Sequence, residues 1–177
     1  LRAEQLDFYL ADLRIVEGAD DLSVRKYARI AAGFYVRPGH SLLGKGSVKM
    51  ADLLPYGIAS VRIPGALQKA LGLLVDPDEG LPLAVECDDL TLLKTLGAST
   101  DTVVACLDGL ANTELGGTQL DRLTVTDMPP LYADMGIVSL KGRSFSPMAQ
   151  FAVDFISRIQ AESSTVVSAL QSISTGV

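Results

Sequence analysis

Five strand-length runs in this chain are apolar almost from end to end: 28–36 (ARIAAGFYV), 57–61 (GIASV), 81–87 (LPLAVEC), 102–106 (TVVAC) and 137–140 (IVSL). A strand with one wet face alternates apolar and polar residues, whereas a strand covered on both faces does not. Helix signals stand between the runs. Met50 to Leu54 reads as a short helix, and Pro64 suits the first turn of one carrying Leu67, Ala70, Leu71 and Leu74. Asp88 or Asp89 can cap a third, with Leu92, Leu93 and Leu96 on its buried side, and Asp108 starts a weak one that stops at Gly116-Gly117. Arg37-Pro38-Gly39 and the stretch 76–80 break the pattern, and Leu120 to Val125 looks extended. Covered strands alternating with helices describe an α/β fold with mostly parallel sheets.

The two ends of the chain point at each other. Leu6 to Ala11 is a strand that gives way at Asp12-Leu13-Arg14 to an acidic, exposed loop through Asp20 and Asp21. Near the other end, Ile137 to Leu140 leads through a basic turn to Ser146 and Pro147, an N-cap and first helical position. Met148, Phe151, Ala152, Phe155, Ile156 and Ile159 then recur at three- and four-residue steps, one apolar helical face expected to pack on the lobe begun at Leu6. After Glu162 the tail is serine-rich, yet Val166, Leu170 and Ile173 keep helical spacing, so it is either frayed or a helix needing a partner surface, with the helix favoured.

With 177 residues, 48% hydrophobic and 20% charged, the chain can bury a sizeable core as one domain or two small lobes. No apolar run reaches bilayer length and Leu1-Arg2-Ala3-Glu4 lacks the features of a signal peptide, so a soluble protein is expected. The missing initiator methionine reads as an excised or processed chain. A net charge of -6 with scattered Lys and Arg argues against this piece gripping a nucleic-acid backbone by itself.

Reactive groups are few. Cys87 and Cys106 each end an apolar run, where buried reduced thiols are favoured over a peroxide-responsive disulfide. His40 follows a turn without a placed acid or nucleophile, and one histidine with two separated cysteines has no zinc spacing. GxSxG, GxGxxG after a strand and GxxxxGK[ST] do not occur; Gly44-Lys45-Gly46-Ser47 lacks the strand and spacing of the last. Asp12, Asp88, Asp89, Asp101 and Asp108 sit at element ends, where aspartate caps helices and turns. Those ends are also where an open parallel sheet holds ligands. Asp12 to Arg14, Ser60 to Arg62, Cys87 to Asp89 and Cys106 to Asp108 are such ends. Ser60 and Arg62 form the best anion-binding pair, with the alternative that Ser60 caps its own helix and Arg62 is merely exposed.

Three stretches in order carry a family resemblance. LDFYLADLR (6–14) resembles the lDlai strand of the effector-binding domain of LysR-type transcriptional regulators; GFYVRPGHSLLGKGSVKMADL (33–53) resembles its segment ending in a basic residue, a glycine and HPLA before a short helix; and GRSFSPMAQFAVDFI (142–156) resembles its closing helix with an SPaA start. The resemblance implies two Rossmann-like α/β lobes of the type II periplasmic-binding-protein kind, joined by two crossing strands near Val36-Arg37 and Met135-Gly136-Ile137, with a small effector in the cleft. Lobe one is then 1–36 plus 133–162, lobe two 37–132, and 163–177 a tail. Against the family pattern, the chain has no counterpart to the winged helix or to the strand-helix-strand before the first motif, so lobe one is expected to expose apolar sheet edge or to be completed by residues outside this sequence. His40-Ser41-Leu42 stands for the usual HPL, and GASTDT (97–102) for a glycine-rich turn.

The resemblance implies the effector-sensing domain of a cytoplasmic bacterial regulator. An effector preferring one lobe arrangement shifts subunit packing, and attached DNA-binding domains respond. The candidate ligand contacts are Asp12, Arg14, Arg37, Ser60, Val61, Arg62, Asp88, Cys106 and Leu107, for a small, candidate anionic effector. No catalytic residue, metal or cofactor is expected. The expected partners are a second copy in a homodimer or tetramer, and DNA only through a domain outside this chain, with no membrane. A solute-binding protein of a transporter, which shares the lobes, is the alternative; a small hydrolase or transferase centred on His40 ranks third.

Overall fold

The computed structural model describes residues 6–63, 65–72, 82–111 and 119–174. Pro64 and Leu74, expected in the second helix, and the 76–80 loop and Gly116-Gly117, expected to end helices, lie outside them. The chain divides into two compact units: one ends at Arg29 and resumes at Asp134, and the other runs from Ile30 to Ala133.

In the first unit, β1 (Phe8–Asp12) pairs antiparallel with β7 (Leu131–Leu140), Phe8 opposite Ser139 and Asp12 opposite Met135. The expected return of the chain to its first strand is therefore a ladder of backbone hydrogen bonds. On the other side of β7 lies β2 (Leu22–Val36), so close that a Cβ at Gly136 would stand 3.1 Å from the carbonyl oxygen of Arg25 and strike the Leu13 side chain. Strand β2 begins six residues before Ala28. Ser23, Val24, Arg25 and Lys26 are exposed there, so this part carries no apolar run.

Helix α5 (Pro147–Ser174) opens with the expected cap. The hydroxyl of Ser146 accepts from the backbone amide of Ala149 at 3.2 Å and donates to Asp7 at 2.6 Å, which ties the helix start to the residue before β1. The Phe8 and Phe145 rings meet edge to face at 6.1 Å. The apolar face corrects the expectation. Ala149 and Val153 are buried, while Met148, Phe151, Phe155 and Ile159 are exposed. Small side chains at 149 and 153 form the seat, and the large ones at three- and four-residue spacing turn outward.

The second unit holds a mixed sheet. Strand β3 (Ile58–Ser60) is parallel to both β4 (Leu83–Glu86) and β5 (Val103–Leu107), but the last part of β2 runs antiparallel to β5, and β6 (Asp121–Arg122) runs antiparallel to β2. The mostly parallel sheet expected from the sequence thus holds for β4-β3-β5 and fails at β2. In the extended stretch 120–125, Asp121–Arg122 pair as β6, the Leu123 amide donates to the Phe34 carbonyl oxygen at 2.8 Å, the Thr124 carbonyl oxygen accepts from Val48 at 2.9 Å, and Val125 bridges Val48.

Adjacent strand residues serve opposite faces, as the two-residue period requires. Phe34, Ile58 and Val103 enter one apolar cluster with Met50 and Leu53 of α1 (Met50–Leu53) and Leu71 of α2 (Gly65–Gly72). Tyr35, Ala59 and Val104 enter another with Leu93 of α3 (Leu90–Ser99) and Ala111 of α4 (Asp108–Ala111). Val103 and Val104 are both fully buried, each stabilising by about 1.5–3 kcal/mol relative to exposure, which is why β5 shows no alternation. Asp89 caps α3 by accepting from Thr91 and Leu92 at 2.9 and 3.1 Å. The buried side of α3 is a second correction: Leu93, Lys94 and Gly97 face inward, Leu96 is half-buried and Leu92 is 56% exposed. Gly97 sits against Val104, so the closest approach to the sheet is at residue 97 and one turn earlier at 93, not at 92.

Candidate functional site

Strands β4, β3 and β5 end together in the second unit, and their carboxyl ends carry most of the expected contacts. Ser60 pairs with Glu86 on one side and Ala105 on the other, so Val61, Arg62, Cys87, Asp88, Leu107 and Asp108 follow at one end of the sheet. Ser60 is buried and its hydroxyl donates to the carbonyl oxygen of Ala105 at 3.2 Å, so its proton is committed to the sheet and does not face a ligand. The Arg62 side chain reaches Glu86 at 3.2 Å, and its backbone amide donates to Asp88 at 3.4 Å. The expected Ser60 and Arg62 pair therefore does not converge on one point.

A different cluster forms where β5 passes into α4. The hydroxyl of Tyr35 donates to Asp108 Oδ1 at 2.7 Å, and the Arg122 guanidinium stands 3.5 Å from Oδ2 of the same carboxylate. Arg122 also donates to the carbonyl oxygen of Ala32 at 3.2 Å, lying across Gly33, which has no side chain to obstruct it. Burial pushes the Tyr35 hydroxyl above its ordinary range, with the bond to Asp108 adding to the effect, so it remains a donor. Arg122 is half exposed, and with one weak ion pair and one backbone acceptor it retains guanidinium donors for an oxyanion. Of this cluster, only Asp108 stood among the carboxylates singled out at element ends; Gly33 and Tyr35 come from β2 and Arg122 from β6, 87 residues after Tyr35, with no spacing signal that joins them to Asp108.

The other expected residues stand elsewhere. Arg37 binds Asp101 at 2.7 and 2.9 Å beside the start of β5, the opposite end from Leu107. Nearby, His40 is buried with Nδ1 accepting from Leu42 at 3.1 Å and Nε2 at 3.1 Å from the Asp101 carbonyl, which makes Nε2 the protonated nitrogen. Both ring nitrogens serve the local backbone. In the first unit, Asp12 accepts from the Arg14 backbone at 3.1 Å and pairs with its guanidinium. A groove of about 460 Å³ opens beside them, with Leu13, Val16 and Val24 as its apolar lining and Lys26, Asp134 and Lys141 among its charged residues.

Cys106 is buried, and burial, aided by the Asp108 charge, pushes its thiol up to about 11. Cys87 donates its amide to Ser60 across β3, and Ala105 pairs with Ser60 from the other side. The two cysteines are thus two strand spacings apart, roughly 9–10 Å between α carbons. A disulfide requires under about 7 Å, so the structure does not hold the two thiols at bridging distance.

No family model matches the chain. The SDS degradation transcriptional activation protein of Pseudomonas sp. (strain ATCC 19151) is 32% identical over 154 residues, covering 83% of this chain and 48% of that protein. The chain spans about half the length of this relative. Among solved structures, the effector-binding domain of QuiR in complex with shikimate superposes with a TM-score of 0.68 at 16% identity, over 92% of this chain and 75% of that one. The regulatory domain of Synechocystis PCC6803 CcmR in complex with 2-PG gives 0.66 at 15%, over 90% and 76%. The regulatory domain of CrgA, a LysR-type transcriptional regulator from Neisseria meningitidis, gives 0.65 at 16%, over 90% and 78%. The likeness drawn from the sequence is borne out at the level of the fold, and the solute-binding alternative is not favoured. Among the described residues, no helix is long and apolar enough to cross a membrane.

Proposed function

From its LysR-type effector-binding fold, we propose that this chain is the small-molecule-sensing part of a transcriptional regulator of that family. The observation that carries the reading is the superposition on two regulatory domains bound to small molecules, over nine-tenths of this chain. The two compact units then act as regulatory subdomains I and II, DNA contact belongs to a domain outside this sequence, and the protein works in the cytoplasm as a homodimer or tetramer without chemistry of its own.

The effector contact we assign first is the Tyr35, Asp108 and Arg122 cluster with Leu107 beside it, joined by Val61, Arg62 and Asp88 at the neighbouring strand ends. Asp12 and Arg14 form the candidate contact of the first unit. Ser60 and Cys106 support the fold around the site, Ser60 through Ala105 and Cys106 through the buried cluster under α3, while Arg37 pairs with Asp101 at the far end of β5. An exposed guanidinium favours an anionic effector, and one that binds a single arrangement of the units better than others shifts the population toward it.

Calorimetry and thermal melting against small carboxylates including shikimate, amino acids, aromatic acids and alkyl sulfates test this reading; the last class is prompted by the relative's role in SDS degradation. A hit is expected to raise the melting temperature, and Arg122→Ala to weaken it. Silence across the whole panel would overturn effector sensing.

A further inference from the structure

We propose that the groove of the first unit is a second ligand site, separate from the strand ends of the other unit, and that its ligand is an anion carrying an unbranched alkyl chain. This does not depend on the effector reading. Helix α5 occupies one face of the β1-β7-β2 sheet, where Ala149 and Val153 are buried and the Arg25 guanidinium reaches the Ser157 hydroxyl at 3.5 Å. Side chains alternate between faces, so Val24 and Lys26, the sequence neighbours of Arg25, belong to the other face. The loop after β1 covers that face in part. Leu13 lies over Gly136, where a side chain would collide with it, and Val16 and Ala19 continue the wall.

The groove between this loop and the strands is long. The Arg25 carbonyl stands against Gly136, and the Lys141 amide donates to the Asp21 carbonyl oxygen at 3.0 Å, so the lining from Asp134 to Lys141 follows the strands for roughly 20 Å. A volume of about 460 Å³ spread over that length suits an extended chain better than a compact ring, and it lies within the range of pockets that hold small molecules. Val24 is 46% exposed, an apolar side chain that a bound chain would cover. The charges give the groove a direction. At the Asp134 end, Arg29 donates to both carboxylate oxygens at 2.9 Å, and Lys26 shares one of them at 3.0 Å. Because a guanidinium already holds that carboxylate, the Lys26 ammonium, 59% exposed, keeps donors for an incoming oxyanion. On the loop, Glu17 and Asp20 line the groove, and Asp20 adjoins the Asp21 carbonyl that holds Lys141. Their charge offsets Lys141 and repels an anionic head, which is left to Lys26 while its chain runs over Val24 toward Val16.

Calorimetric titration of the folded chain at neutral pH with hexanoate, octanoate and decanoate, each below its micellar concentration, tests the proposal. Affinity should rise at least about twofold per added methylene, as partial burial of each one requires. The uncharged 1-octanol should bind at least about tenfold more weakly than octanoate, the worth of a charge-assisted contact. Val24→Asp should weaken decanoate by at least about tenfold, by setting a like charge against the chain. Lys26→Met should weaken octanoate and leave 1-octanol unchanged, a split that general loss of structure would not produce. Arg122→Ala should leave both unchanged. Absence of binding, a chain-length series without slope, or binding indifferent to both Val24→Asp and Lys26→Met would overturn the proposal. Binding lost through Arg122→Ala would also overturn it, placing the chain at the strand ends of the second unit and leaving effector sensing in force.

Discussion

The guanidinium of Arg122 lies so close over Gly33 that a Cβ on residue 33 would stand 2.7 Å from its Nε. Gly33 is paired with Cys106 in the sheet, and Arg122 is paired with Tyr35 two residues on, so the arginine reaches back along β2 to Asp108 and the Ala32 carbonyl. A missing side chain on one strand thus positions the one on its neighbour.

Gly33→Ala separates binding from stability. The clash falls on the far end of a flexible side chain, which swings away at a cost of about 1 kcal/mol or less. Effector affinity should fall about tenfold or more, the worth of one charge-assisted hydrogen bond. Titration of the best ligand from the panel, with melting as control, reads both. An unchanged affinity would remove Arg122 from the site.

Gly97→Ala should behave in the opposite way. Its Cβ would strike Val104, a β-branched side chain on a central strand with no rotamer to retreat to, and Leu120 closes the other side at 3.7 Å. We expect about 1–3 kcal/mol of destabilisation, from overpacking, as a lower urea midpoint at constant slope. Effector affinity in the surviving folded fraction should be unchanged.

These two glycines mark what the sequence can and cannot disclose. Strands buried on both faces announce themselves by composition, and the caps at Ser146 and Asp89 by residue type, because both depend on local chemistry. Which face of a helix turns inward depends on where two backbones approach most closely. In α3 that point is Gly97 and in α5 it is the small pair Ala149 and Val153, while larger apolar residues at equally regular spacing drew attention to Leu92 and Phe151. The start of β2 stayed hidden because it is polar and exposed. Tyr35, Asp108 and Arg122 meet only through strand pairing, 73 residues separating the first two, so no motif connects them.

Stability should decline in alkali before the bulk of the lysines titrate. Cys106 is pushed from 9.0 up to about 11 by burial first and the Asp108 charge second. A folded thiol that stays protonated while the unfolded one ionises contributes fully below about pH 9, and that contribution is lost as the pH rises toward 11. The loss is on the order of 2 kcal/mol. Tyr35, also raised above its ordinary 10.0 by burial, extends the decline further into alkali. Urea midpoints between about pH 8 and 11, which bracket the Cys106 window, should fall for the wild type and fall less for Cys106→Ala. Equal slopes for the two would rule out the thiol as a source.

In acid the sensitive group is Asp134, where β7 enters the first unit. Its carboxylate accepts two hydrogen bonds from Arg29 at 2.9 Å and pairs with Lys26 at 3.0 Å, and these partners, Arg29 foremost, hold it down from 3.8 to about 2. A depressed folded pKa contributes stability above the unfolded value and loses it as the pH falls, here between about 4 and 2. Because the guanidinium and ammonium are exposed, added salt should screen the pair and reduce the effect. Asp134→Asn has no proton to gain, so its acid unfolding should be shallower across that window and less dependent on salt. A wild type and variant with superimposable acid transitions at low salt would show that the cluster of Lys26, Arg29 and Asp134 does not tie β2 to β7 energetically.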